Sequence, residues 1–265
     1  MTPPTTKTIR LLLLTAYIII AVFFVWKFRS VYLLSILIVL VPPALANFLW
    51  LNNPATKKRI LAFSLLAVLL FAPPVELAAR LANVWDVQSV FPRPFGLIPL
   101  ENMLFAFLNF FWGLSFYAYF TGTTPTKSSR LKFLIVLYLL LDLAVFGGYL
   151  LNPALIKVNY FALALPVLLI PAVFLFSRYP ALIRKTIPTT FFFAAVLFIY
   201  EAVSLEIGSW WWPGTYLYTF NLNGHTFPLD DVLIWYFLST PVLIAGYEFF
   251  ANGYGEKVQA EVTPM

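Results

Sequence analysis

Cysteine is absent from the chain, which excludes disulfides, thiolate nucleophiles and Cys-ligated metals together. Histidine occurs once, as His225, and a single imidazole argues against a His-based metal cluster. Charge is scarce. Asp, Glu, Lys and Arg make up 11% of the 265 residues, about half of what a soluble domain carries. The sequence has no Gly-rich phosphate loop after a strand, no Ser-His-Asp set and no nucleotide motif. No small-residue cleavage site follows the first apolar run, so that run is expected to be retained.

What is present is apolar. Hydrophobic residues make up 62% of the chain, and several runs are long enough to cross a bilayer. The expected fold class is an all-α polytopic membrane protein. Eight spans are predicted, over 10–26, 30–51, 59–84, 99–121, 131–151, 157–177, 185–207 and 228–250. Prolines within them (Pro42, Pro43, Pro73, Pro74, Pro166, Pro171, Pro241) kink membrane helices and free carbonyls near cavities. Two links are long and aromatic, 85–98 and 208–227. The net charge of +6 reads as topology rather than as nucleic-acid binding. The side shared by the N-terminus, the 52–58, 122–130 and 178–184 links and the C-terminus, with the adjoining span ends, holds 12 of the 17 basic residues. That asymmetry places both termini in the cytoplasm and the two aromatic links on the outer side.

A local repeat stands out. Glu76 is nine residues before Trp85, and Glu201 is nine residues before Trp210. A link containing Gly96 follows in one copy, and a link containing Gly224 in the other. Then Pro99-Leu100-Glu101-Asn102 matches Pro228-Leu229-Asp230-Asp231. Both copies lie between the third and fourth spans of a four-span unit. The chain therefore reads as two tandem four-helix repeats, 1–125 and 126–265, in the same orientation and related by an axis along the membrane normal. Glu76 lies 17 residues past Arg59 and Glu201 lies 16 past Lys185, about 24–25 Å along a helix in each case. Glu76, Glu101, Glu201 and Asp230 are thus expected in one layer, facing one cavity near the outer leaflet.

Carboxylates in membrane spans are costly and are functional candidates by default. Burial favours the neutral acid, which can donate a proton, and Glu76 and Glu201 fit that description. Glu101 and Asp230 begin helices, where capping is the plainer role. A cluster of acids can also share protons, so that one member is held protonated. Trp210, Trp211 and Trp212 suit an interfacial belt and equally suit a cavity lining, where aromatic faces stabilise cations. Acids plus aromatics suggest proton-initiated chemistry on an unsaturated hydrocarbon. Asp142, about 18 Å up its helix from Arg130, is either polar glue or a site residue. Arg80 is placed to pair with Glu76. Glu206 is expected at the outer interface, His225 in a solvated turn, and Glu248 and Glu256 among ordinary surface charges.

Taken together, these residues resemble the carotenoid (lycopene) cyclase domain family. That family consists of small helical membrane proteins, found as similar paired subunits or as fused tandem copies. Its marker is a Pro-x-Glu-Glu or Pro-x-Glu-Asp-like element opening a helix once per copy. Pro99-Leu100-Glu101-Asn102 and Pro228-Leu229-Asp230-Asp231 look like that element, and Trp210-Trp211-Trp212-Pro213 looks like the family's Trp-Pro stretch. The likeness is best over 70–121 and 195–250. Asn102 stands where the family has an acid, and Asp230 where it has Glu.

The resemblance implies redox-neutral cyclisation of a linear carotenoid such as lycopene, with no cofactor and no metal. Glu201 and Glu101 are the acid candidates, and Asp230 and Asp231 the base or relay candidates. Glu76 completes the catalytic set. Trp85, Asn102, Asp142, Trp210 and Trp211 are the substrate-binding candidates. The expected setting is a bacterial cytoplasmic membrane, and the sequence leaves open whether the chain works alone or as a homo-oligomer. Two other readings stay open: a hydratase that captures the same cation with water, and a proton-coupled transporter. The last two spans lack the mid-helix lysine of a retinal Schiff base, which argues against a retinal receptor.

Overall fold

The computed structural model describes residues 5–121, 130–157 and 159–253. The expected boundary between the halves at 125/126, and Glu256, lie outside the described residues. Among those residues, eight helices are long and apolar enough to cross a bilayer: α1 (Thr6–Phe28), α2 (Tyr32–Trp50), α3 (Pro54–Leu81), α4 (Leu100–Thr121), α5 (Leu131–Leu151), α6 (Phe161–Arg178), α7 (Ala181–Glu206) and α8 (Leu229–Ala251). They correspond to the eight predicted spans, with ends moved by a few residues. The protein has the character of an integral membrane protein.

Local chemistry sets several of these ends. The Thr5 hydroxyl accepts from the Thr8 amide, 3.3 Å away, at the start of α1. Asn53 accepts from the Ala55 and Thr56 amides at 2.9 and 3.2 Å, and Pro54 supplies the first position of α3. Proline also explains the irregular turns. Pro73 and Pro74 lack amide hydrogens and crowd the carbonyls one turn earlier. α3 widens into a π-helical turn over Ala67–Phe71 just before them. A wide turn over Leu165–Leu169 contains Pro166 and precedes Pro171, and one over Val232–Ser239 precedes Pro241. Such bulges re-aim the side chains that follow them.

α2 packs along α4, and α6 along α8. α1 lies against α7, and α5 against α3. α3 also packs on α4 and α7 on α8, while α4 and α8 meet. The outward face of α5 exposes Phe133, Val136, Leu140 and Leu143, a surface suited to lipid rather than water.

Two short antiparallel ladders fold the long links over one end of the bundle. β1 (Asp86–Val87) pairs with β2 (Trp210–Trp211), setting Asp86 opposite Trp211 and Val87 opposite Trp210. β3 (Thr219–Leu222) pairs with β4 (His225–Pro228) around a turn containing Gly224, whose φ of 87° suits glycine. The first ladder ties the two links together. The Gln88 amide extends it by donating to the Ser209 carbonyl at 2.9 Å.

Candidate functional site

The third and fourth helices of each predicted half close on one cavity. α3 contributes Phe71, Val75 and Glu76, and α4 contributes Asn102, Phe105, Asn109 and Phe110. α7 contributes Phe193, Tyr200 and Glu201, and α8 contributes Asp231, Trp235 and Tyr236. Trp85, Trp210 and Trp212 reach in from the two links. The hollow, its open part included, spans about 1080 Å³ of empty space, and ten of its lining residues are aromatic.

On one side, Glu76 is surrounded by donors. Trp85 Nε1 donates to both carboxyl oxygens, at 3.1 and 3.2 Å. Asn102 Nδ2 donates to Oε1 of the same group. The Asn102 amide is itself oriented, because the buried Tyr32 hydroxyl donates to its Oδ1 at 2.8 Å. Tyr32 is fully enclosed and packs edge-on against Trp210, 5.8 Å between centroids.

The other side is built differently. Tyr236 donates its hydroxyl to Glu201 Oε2. Asp231 lies close enough to this carboxyl for the two acids to interact electrostatically, and Trp212 approaches it too. Glu201 and Asp231 are 8% and 2% exposed, so this is a buried pair of acids. Neighbouring buried acids of this kind can share a proton.

The structure brings Glu76, Glu201, Asp231, Trp85, Asn102 and Trp210 together around the cavity. It does not form the expected layer of four carboxylates. Glu101 turns back to the preceding link, where it accepts from Ser89 Oγ at 2.8 Å, from the Phe91 amide at 2.8 Å and from the Val90 amide. Asp230 likewise accepts from the Leu217 amide at 2.9 Å. The physical reason is helical. Consecutive residues at a helix start point about 100° apart, so Glu101 and Asp230 face their own links while Asn102 and Asp231 face the cavity. Glu101 and Asp230 therefore take neither the catalytic place expected of them nor the helix-capping role weighed against it; they act as acceptors for the links.

Other expectations change as well. Trp211 is 42% exposed and Asp142 sits on α5; neither lines the cavity. Arg80 pairs with Asp86 and donates to the Trp85 carbonyl at 3.0 Å, instead of bridging to Glu76. Arg93 Nη2 reaches the same Asp86 oxygen at 3.1 Å. The two guanidinium groups therefore fix the link that carries Trp85. His225 faces Glu206 with Nε2 3.5 Å from a carboxyl oxygen. Glu248 is no surface charge: it is 2% exposed and accepts from Asn252 Nδ2 at 2.7 Å.

Tyr216 clasps the two links together. Its hydroxyl donates to the Val84 carbonyl and accepts from the Gly214 amide at 2.9 Å. Burial, with Asp231 and Asp230 nearby adding to it, pushes the phenol up to about 12. Gly214 makes this approach feasible, since a Cβ there would meet the Asn83 carbonyl oxygen at 2.7 Å.

Sequence reasoning missed Tyr236 and Tyr32, and weighed Trp212 only together with its two neighbours. Tyr236 follows Asp231 by five residues, which an α-helix would turn off the shared face. The wide turn over Val232–Ser239 returns it, and Pro241 was the available signal. Tyr32 carries no signal, because it belongs to α2 and reaches Asn102 only through packing.

No family model, curated protein or solved structure matches this chain.

Proposed function

We propose that the chain is a carotenoid end-group cyclase acting within the membrane. The observation that carries this reading is the Glu201–Asp231 pair, with Tyr236, lining the same aromatic-rich cavity as Glu76. The pair delivers a proton to the terminal double bond of a linear carotenoid such as lycopene. The tertiary cation is attacked by the neighbouring double bond, and a six-membered ring closes. Glu76 then removes a proton from the ring. One proton enters and one leaves, and no electron is transferred. Trp85, Trp210, Trp235 and the phenylalanines surround the cation with π faces, which attract positive charge without acting as nucleophiles.

The tandem-repeat organisation belongs to the same proposal. Exchanging α1–α4 with α5–α8 carries the α2–α4 contact into α6–α8, α1–α7 into α5–α3, and α3–α4 into α7–α8. Glu76 to Glu201 and Asp86 to Trp211 are both steps of 125 residues (201 − 76 and 211 − 86). Asp86 therefore pairs in the ladder with its own counterpart, as an axis along the bundle would require. The excess of basic residues on the other links supports cytoplasmic termini.

The test is expression in lycopene-accumulating bacteria, followed by chromatography and mass analysis of the pigment. Ring products of unchanged mass are expected. Pigment identical to that of cells lacking the protein would overturn the reading.

A further inference from the structure

A second hollow lies beside the first, on the side of the long links. It is of mixed character, with Arg29, Glu206, His225 and Thr226 beside Leu205, Ile207 and tryptophans 210 to 212. The Glu206 and His225 side chains are 34% and 40% exposed, so this hollow is open to its surroundings. Trp210 and Trp212 line both hollows. Their rings are 5.9 Å apart. Trp212 stands edge-on to Trp85 at 6.4 Å and to Tyr216 at 6.0 Å, and Trp210 stands edge-on to Phe105 at 5.6 Å. Two indoles held by aromatic neighbours are thus the partition between a water-accessible pocket and the cavity.

We infer that this partition decides the fate of the cation, and that Trp210 and Trp212 are specificity-determining residues for ring closure over hydration. The inference rests on the cyclase reading of the cavity. With the partition shut, the nucleophile within reach of the cation is the neighbouring double bond. With it open, water from the exposed pocket attacks instead. A C–O bond forms, an O–H bond breaks, and the released proton goes to a cavity carboxylate. The product is a tertiary alcohol, one water heavier than the substrate, and no oxidant is needed. Cyclase and hydratase chemistry would then differ by a wall rather than by the acid.

The experiment compares Trp212→Ala and Trp210→Ala with Trp212→Phe and Trp210→Phe in lycopene-accumulating cells, and in isolated membranes supplied with heavy-oxygen water. The Ala variants should raise the oxygenated share of converted pigment by about ten-fold or more, the scale on which pocket contacts discriminate. The new hydroxyl should carry the heavy oxygen. The Phe variants, which keep a ring in the wall but lose the indole N–H, should still give mainly rings. Folded Ala variants that yield no heavy-oxygen product overturn the inference, whether or not rings still form. Should an Ala variant fail to fold, Trp212→Leu leaves a smaller gap and is read in the same way. A wild-type protein that leaves lycopene untouched overturns the cyclase reading along with the partition. Ring formation by the wild type without water adducts in the variants refutes the partition alone.

Discussion

Glu201 and Glu101 have similar sequence credentials and different surroundings, so their amide variants should fail in different ways. Glu201→Gln keeps the side-chain shape and an oxygen for the Tyr236 hydroxyl. It removes the carboxyl that, on the proposed reading, shares a proton with Asp231. A positioned general acid contributes about 10²–10⁴-fold to rate, so product formation should fall by that factor. At 1.36 kcal/mol per ten-fold, this is about 3–5 kcal/mol of barrier. Glu101→Gln acts on the link instead. Its amide oxygen can still meet the Val90 and Phe91 amides, while Ser89 Oγ loses a carboxylate acceptor. Exchanging charge-assisted bonds for neutral ones should cost about 1–3 kcal/mol of stability. The pigment assay, normalised to folded protein by fluorescence-detected size exclusion, separates the two. Glu101→Gln should melt earlier in detergent yet retain activity per folded molecule. A well-folded Glu101→Gln as inactive as Glu201→Gln, or a Glu201→Gln that still makes the wild-type amount, would refute the division of roles.

Three other outcomes follow from single contacts. Tyr236→Phe deletes the donor to Glu201 and should slow product formation about 10- to 100-fold, the kinetic equivalent of a hydrogen bond to a charged group; the same pigment assay reads it. Gly214→Ala would put a Cβ 2.7 Å from the Asn83 carbonyl and should lower stability by about 1–3 kcal/mol, seen as an earlier melt in detergent. Tyr216 is raised in the folded state from 10.0 to about 12. Its contribution to the link clasp is therefore complete below pH 10 and lost as the pH climbs from 10 to about 12. A difference titration of phenolate absorbance between wild type and Tyr216→Phe should show a late-titrating tyrosine missing from the variant.

The spans were legible because twenty apolar residues leave few other structures. The site was legible in part. Glu76, Glu201, Trp85 and Trp210 announced themselves through equal spacing in two places. The failure came at Glu101 and Asp230, where composition says only that acids open a helix. Which of two adjacent acids enters the cavity depends on helix phase, and phase depends on where the preceding link hands the chain over. The amides of Val90, Phe91 and Leu217 are the partners that settle it, and no spacing rule marks a loop amide as needing an acceptor. Arg80 shows the same limit. Its local neighbour on the helix is Glu76, yet a link residue, Asp86, takes it.

On the proposed reading, Asn102 gives the proton a direction. Tyr32 occupies Asn102 Oδ1, so the amide must present its N–H to Glu76. Trp85 presents a second N–H to the same carboxyl. Glu76 thus has donors on its protein side, which suits a group that accepts a proton from the ring. The counterpart of Asn102 is Asp231, and there the neighbour of Glu201 is a second carboxyl. On this reading the cavity has a donating side and an accepting side, and Asn102 against Asp231 is one difference between them. Asn102→Asp should erase it. The new carboxyl would compete with Glu76 for a proton and leave Tyr32 facing an acid. The cation would form as before but lose its preferred base. Ring closure should continue, with the ring double bond distributed over more positions than in the wild type. Chromatography that resolves the β, ε and γ ring isomers checks this. An unchanged isomer ratio from a folded, active Asn102→Asp protein would show that Glu76 does not take the proton.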